Sequence, residues 1–245
     1  MTDEPRLTPM PPWQSVLFFG VPTILFYFVS RFGIALLRQH TPLHPLIIWF
    51  LTGGPFFVLL FLTSIVAYRI DRAQSKSQPL RERFRLQAMR KGDWLWTLGA
   101  LLLASISMGI IYFIASWLTT SVLSIGQFNP SASFLKAKAL SGAELWILLA
   151  WIPHFFFNIV GEEFLWRGYI LPRQELTHGR FTWIVQGVLW SAFHIPFGWQ
   201  MTLLVLPLLF GIPYVVQKRK NTWIGIMLHA VINGGGFLAV SFGLI

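Results

Sequence analysis

Apolar residues in this chain come in long blocks, not in the strict alternation of strands. Runs of about 15 to 25 residues with almost no charge are separated by short polar, basic or Pro- and Gly-rich breaks, the pattern of helices that cross a bilayer. Seven spans are predicted, at about 15–37, 46–68, 94–121, 144–171, 181–195, 201–216 and 223–242. The expected fold class is all-α, a polytopic membrane helical bundle. Pro22, Pro55, Pro153, Pro207 and Pro213 fall inside these spans, which membrane helices tolerate because neighbours re-satisfy the freed backbone groups. Residues 1–14 are polar and proline-rich and are expected to form a mobile cytoplasmic tail.

Composition strengthens this reading. Of 245 residues, 55% are hydrophobic, 16% aromatic and only 11% charged, too apolar for a water-soluble domain. The net charge of +10 sits mainly in loops, so it speaks for orientation and not for nucleic acid, of which no motif is present. Residues 69–93 carry eight Lys/Arg against three acids. They are expected to form a solvated cytoplasmic loop; the alternative is an amphipathic helix over Leu80–Met89 lying on anionic headgroups as a lipid sensor. With that loop and the amino terminus inside, fifteen basic residues fall inside and four outside, as the positive-inside rule requires. The expected location is the cytoplasmic (inner) membrane of a bacterium, with membrane lipids as the first partners. No cysteine is present, so thiolate catalysis and disulfides are excluded.

Against this apolar background a few polar groups stand out. Glu162, Glu163 and Arg167 lie in the fourth span, where an ionisable side chain costs roughly 2.5–3.5 kcal/mol and is by default functional. Helical spacing pairs Glu163 with Arg167 and turns Glu162 about 100° away. His229 and Asn233 share a face of the last span for the same reason. A rise of 1.5 Å per residue puts Glu162 and His194 both roughly 21 Å from their inner helix ends, with His229 and Asn233 at roughly 12 and 18 Å. Glu, two His and Asn converging without a cysteine or a Ser-His-Asp set suit hydrolysis by activated water. Glu162 would take the proton, His194 would orient the water, and His229 with Asn233 would stabilise the oxyanion. His154 and Asn158 share the Glu162 face at four-residue steps and are expected to hydrogen-bond between helices, the alternative being support of the site, a role also open to Trp190.

The segments GEEFLWRGYILP, WSAFH and HAVIN resemble the three motifs of the CAAX protease and bacteriocin-processing family of intramembrane proteases, which includes the type II CAAX prenyl endopeptidases. The first motif matches at Glu162, Glu163, Arg167 and Gly168, and the third at His229 and Asn233. In the second, Trp190 stands where Phe is usual, before His194. The resemblance implies a catalytic transmembrane core over 143–242, preceded by helices over 15–142, with Glu162, His194, His229 and Asn233 catalytic and Glu163 and Arg167 supporting. It implies an endopeptidase acting on a membrane-associated peptide or protein, with a prenylated CAAX end as one substrate class.

No cofactor is expected. Three other readings stay open. Zinc held by Glu162, His194 and His229 would make a metalloprotease, although no HExxH helix is present. A non-catalytic immunity or scaffold protein would keep the fold and bind a partner. A proton-relaying transporter would need the internal repeat that this sequence lacks. Oligomeric state and substrate identity are not legible.

Overall fold

The computed structural model describes residues 7–74, 78–132 and 138–244. Arg6, Lys76 and Lys136, all used in the charge count, lie outside the described residues. Those described form helices and connecting loops, with no strand among them. Six helical runs are long and apolar enough to cross a membrane, and the protein is an all-α integral membrane bundle.

Helix α1 runs Pro12–His40 with a π-helical stretch at Val29–Gly33, α2 spans Pro45–Gln74, and α3 spans Lys91–Trp117, continued by a π turn at Leu118–Val122. The run Gly142–Phe197 has 56 residues, about 84 Å of helix against a hydrocarbon core of roughly 30 Å. It is two legs and not one. The first is α4, Ile147–Glu163, extended by a π-helical segment Phe164–Ile170 and a short α5, Leu171–His178. Gly179, at φ 53°, reverses the chain into α6, Thr182–His194. Two further helices, α7 over Trp199–Arg219 and α8 over Thr222–Ser241, complete the bundle.

These helices follow the predicted spans closely, most beginning a few residues earlier. Large apolar side chains such as Leu103 and Phe113 point outward along α3, 68% and 73% exposed, as suits a lipid-facing helix. The helices that carry the polar residues are buried together: α2 packs along α4, α6 against α1 and α7, and α8 against α4 and α7. The α2–α4 approach depends on Gly161, where an added Cβ would come within 2.6 Å of the Phe57 carbonyl oxygen. An aromatic core surrounds Phe26, which meets Trp49, Phe56, Phe57, Phe193 and Phe197.

Two expectations about the polar ends need correction. Leu7–Pro11 is held, not mobile: the Met10 amide donates to the Arg173 carbonyl, Thr177 Oγ1 donates to the Met10 carbonyl, and Met10 is fully buried. The basic loop is neither an amphipathic helix over Leu80–Met89 nor simply solvated. Within Leu80–Met89 only Leu80–Arg83 is helical, and the chain then docks: Phe84 is buried on Phe164, and Arg85 makes a bidentate pair with Glu175 at 2.8 Å for each bond. The Arg85 carbonyl accepts from the Thr222 amide, and Arg219 pairs with Asp93. Three connections, around 80–91, 171–181 and 217–222, are thereby tied together at one end of the bundle.

Candidate active site

Glu162 and Glu163 close α4 and are both buried. Glu162 Oε1 accepts from Asn158 Nδ2 at 3.1 Å, one helical turn earlier, and Oε2 accepts from the Trp190 indole N–H at 2.9 Å. Asn158 in turn accepts, through Oδ1, from Asn233 Nδ2 at 3.4 Å. Asn233 Nδ2 also lies 3.0 Å from His229 Nε2. An amide nitrogen can only donate, so Nε2 is the accepting nitrogen and Nδ1 carries the proton. That proton faces Glu163 Oε1 at 3.0 Å, and the same oxygen lies 3.2 Å from Arg167 Nη1.

Arg167 closes the circuit. Its guanidinium lies over the Trp190 ring, 3.6 Å from the centroid, while the edge of that indole holds Glu162. Seven side chains from α4, the π segment, α6 and α8 thus form one ring of polar contacts, buried except at the half-buried Asn158 and Asn233. In a low-dielectric interior such a ring is costly if broken at any point. Trp190 is its hub, since His194 and His229 also meet the indole edge-on, at 5.2 and 5.4 Å between centroids. His194 Nδ1 is 2.9 Å from the Trp190 carbonyl. It must donate there, which leaves Nε2 of the neutral imidazole with a free lone pair.

The local chemistry of the π segment follows from Pro172. Having no N–H, Pro172 cannot supply the donor that the Gly168 carbonyl would receive four residues on in an α-helix. A wider register takes over, in which the Leu171 amide bonds back to the Trp166 carbonyl. Arg83, from the docked loop, then donates to the Gly168 carbonyl at 3.2 Å and to the Tyr169 carbonyl at 3.0 Å. Burial pulls its pKa down to about 10, still a cation at neutral pH. On the other side, Gln186 Nε2 donates to the Trp166 carbonyl and to Gln174 Oε1. The Glu163 carboxylate has its own cradle, because a Cβ at Gly225, four residues before His229, would run into Oε2.

The Glu163–Arg167 pair expected from spacing is present. His229 and Asn233 meet one turn apart as spacing predicts, and both join the glutamate helix: His229 faces Glu163, and Asn233 also donates to Asn158. Trp190 does more than pack, being a hydrogen-bond donor to Glu162. His154 leaves the site altogether and sits among Trp49, Phe50 and Phe57. Glu175 pairs with Arg85 and Lys220. The Glu162, His194 and His229 zinc set is not gathered: among the described residues no three His, Cys, Asp or Glu side chains are grouped to hold a metal. Sequence reasoning missed Arg83, Gly225, Gln174 and Gln186. Of these, only Gly225 left a signal, the four-residue step to His229 and Asn233.

The fold and this ring define an integral membrane helical protein with a largely buried polar site within its bundle. Residues 144–235, which hold every member of the ring, match the family described as Type II CAAX prenyl endopeptidase Rce1-like. No curated protein and no solved structure matches it.

Proposed function

We propose that the protein is an intramembrane endopeptidase that hydrolyses a peptide bond of a membrane-associated peptide or protein with water activated by Glu162 and His194. The observation that carries this reading is the buried Glu162 carboxylate, fixed by Trp190 and Asn158 beside the indole that His194 also contacts. The family match of the segment supports it.

Water held by the His194 Nε2 lone pair would lose a proton to Glu162 as its oxygen attacks the scissile carbonyl carbon. Glu162 then returns that proton to the leaving amine as the C–N bond breaks. Desolvation inside the bundle strengthens each of these interactions. In the resting arrangement Asn233 donates to His229 Nε2. The Asn233 amide would turn to the oxyanion as it forms, beside the His229 imidazole that Glu163 orients through Nδ1. Arg167 and Glu163 hold His229 and Trp190 in place and do not touch the reacting atoms.

The catalytic core is assigned to 143–242, and the helices over 15–142 to enclosure of the site and entry of substrate. The assigned location is the bacterial cytoplasmic membrane, with the loop at 80–90 and the amino terminus on the cytoplasmic side. A prenylated CAAX-like end is one substrate class that this reading admits.

The test is cleavage of membrane peptides by the purified protein in detergent. Glu162→Gln and His194→Ala are expected to abolish cleavage while leaving the thermal unfolding transition in place. Cleavage by both variants at the wild-type rate would overturn hydrolysis at this site and favour a scaffold. Activity removed by a chelator and restored by zinc would overturn the metal-free water activation.

A further inference from the structure

A second polar feature lies away from the ring, at the end where the connections around 80–91, 171–181 and 217–222 are tied together. A cavity of about 790 Å³ opens there. Its wall includes five cations, Arg81, Arg83, Arg85, Arg90 and Lys220, against one acid, Glu82. Glu175 serves Arg85 and Lys220 together, and Asp71 lies 3.8 Å from Arg83. Counting all three acids still leaves two positive charges in surplus.

The surplus has an address. Among the described residues neither Arg81 nor Arg90 has a carboxylate within ion-pair distance, and Arg81 uses only Nε, on the Leu86 carbonyl. Both side chains are exposed. The remainder of the wall is partly apolar, with Leu7, Leu86 and Pro172. The cavity also sits at a particular depth: Arg90 caps the amino end of α3, and Trp94 and Trp96 follow within two turns, the position of an interfacial aromatic belt. A basic, half-apolar cavity at the level of the headgroups suits a phosphate monoanion or diester.

We propose that this cavity binds a phosphate-bearing anion, with Arg81 and Arg90 as the principal phosphate ligands. The assignment is independent of the peptidase reading. Its sources are an anionic phospholipid headgroup or a soluble phosphate, and the experiment separates them. Arg83 shares the cavity wall and clamps the π segment, so an occupant would lie against the loop that supports Arg167.

The full-length protein in neutral detergent is titrated with phosphatidylglycerol, phosphatidylcholine or inorganic phosphate, and bound ligand is counted by native mass spectrometry. The variant is Arg81→Gln/Arg90→Gln. The charge-matched control is Arg180→Gln/Lys218→Gln, exposed and outside the cavity wall. Preferential binding of phosphatidylglycerol over phosphatidylcholine, weakened about tenfold in the variant and less than about twofold in the control, supports the lipid source. Saturable binding of inorganic phosphate lost in the variant, with no preference between the two lipids, supports the soluble source. Equal losses in variant and control, or no loss in either, would overturn the site.

Discussion

Replacing Trp190 by Phe keeps an aromatic ring over Arg167 but removes the N–H that Glu162 Oε2 accepts. A hydrogen bond to a charged acceptor contributes about 1.5–3 kcal/mol. On the proposed mechanism Trp190→Phe is therefore expected to lower kcat about 10- to 100-fold with little change in KM, since the indole would hold the activating group and not the substrate. An unchanged kcat would remove Trp190 from the positioning of Glu162. The ion pair next to it behaves differently. Glu163 and Arg167 are both fully buried, and Arg167 has no aligned hydrogen-bond acceptor among the described residues. Removing one partner alone strands a buried charge at a cost of about 3–5 kcal/mol. Arg167→Met should thus destabilise strongly in detergent thermal unfolding, and Glu163→Gln combined with Arg167→Met should recover much of the loss; additive losses would argue against a coupled pair.

At the scale of the element, the π segment depends on a residue far away in sequence. Pro172 withholds a donor from the Gly168 carbonyl and Arg83 supplies one. Arg83→Met is expected to cost about 1–3 kcal/mol, the penalty of an orphaned buried carbonyl. In a Pro172→Ala background a backbone N–H becomes available, and the same substitution should cost clearly less. A thermal-unfolding double-mutant cycle with no coupling would sink this account. The case also shows where sequence reading stops. Glu163 and Arg167 could be paired from local spacing alone, and apolar run lengths located the helices. That Arg83 leaves a run of basic loop residues to enter the bundle could not be read from periodicity, because its partners are backbone carbonyls and any residue offers one. The same limit applies to His229: its step to Asn233 was visible, but its choice of Glu163 over Glu162 depends on the rotation of α8 against α4, and on the missing side chain at Gly225.

For the whole molecule, the positive-inside count becomes a physical prediction about sides. The loop around 80–90 is tied to Glu175 and to the α7–α8 connection, so these segments must lie on one side, whichever it is. The chain lacks cysteine, and single cysteines can be introduced into an otherwise silent background. Gln87→Cys and Arg180→Cys should be labelled by a membrane-impermeant maleimide only in inverted inner-membrane vesicles, and Leu43→Cys only in intact spheroplasts. The reverse pattern would invert the orientation, and labelling of Gln87 and Arg180 from opposite faces would contradict the tie itself.

The wide turn at Phe164–Ile170 has a consequence for insertions and deletions. A π turn holds one residue more than an α turn, so the chain here carries a surplus residue that the flanking helices do not need. Deleting Leu165 would let the segment close to α register apart from the one donor that Pro172 still withholds from the Gly168 carbonyl and Arg83 still supplies, with α5 in phase with α4, so this helix should bear a single-residue loss that would rotate any other part of it by about 100°. The bundle should still assemble, as size-exclusion chromatography in detergent would show. Arg167 would then stand three residues after Glu163 instead of four, and cleavage should be lost: the extra residue would serve the ring and not the fold.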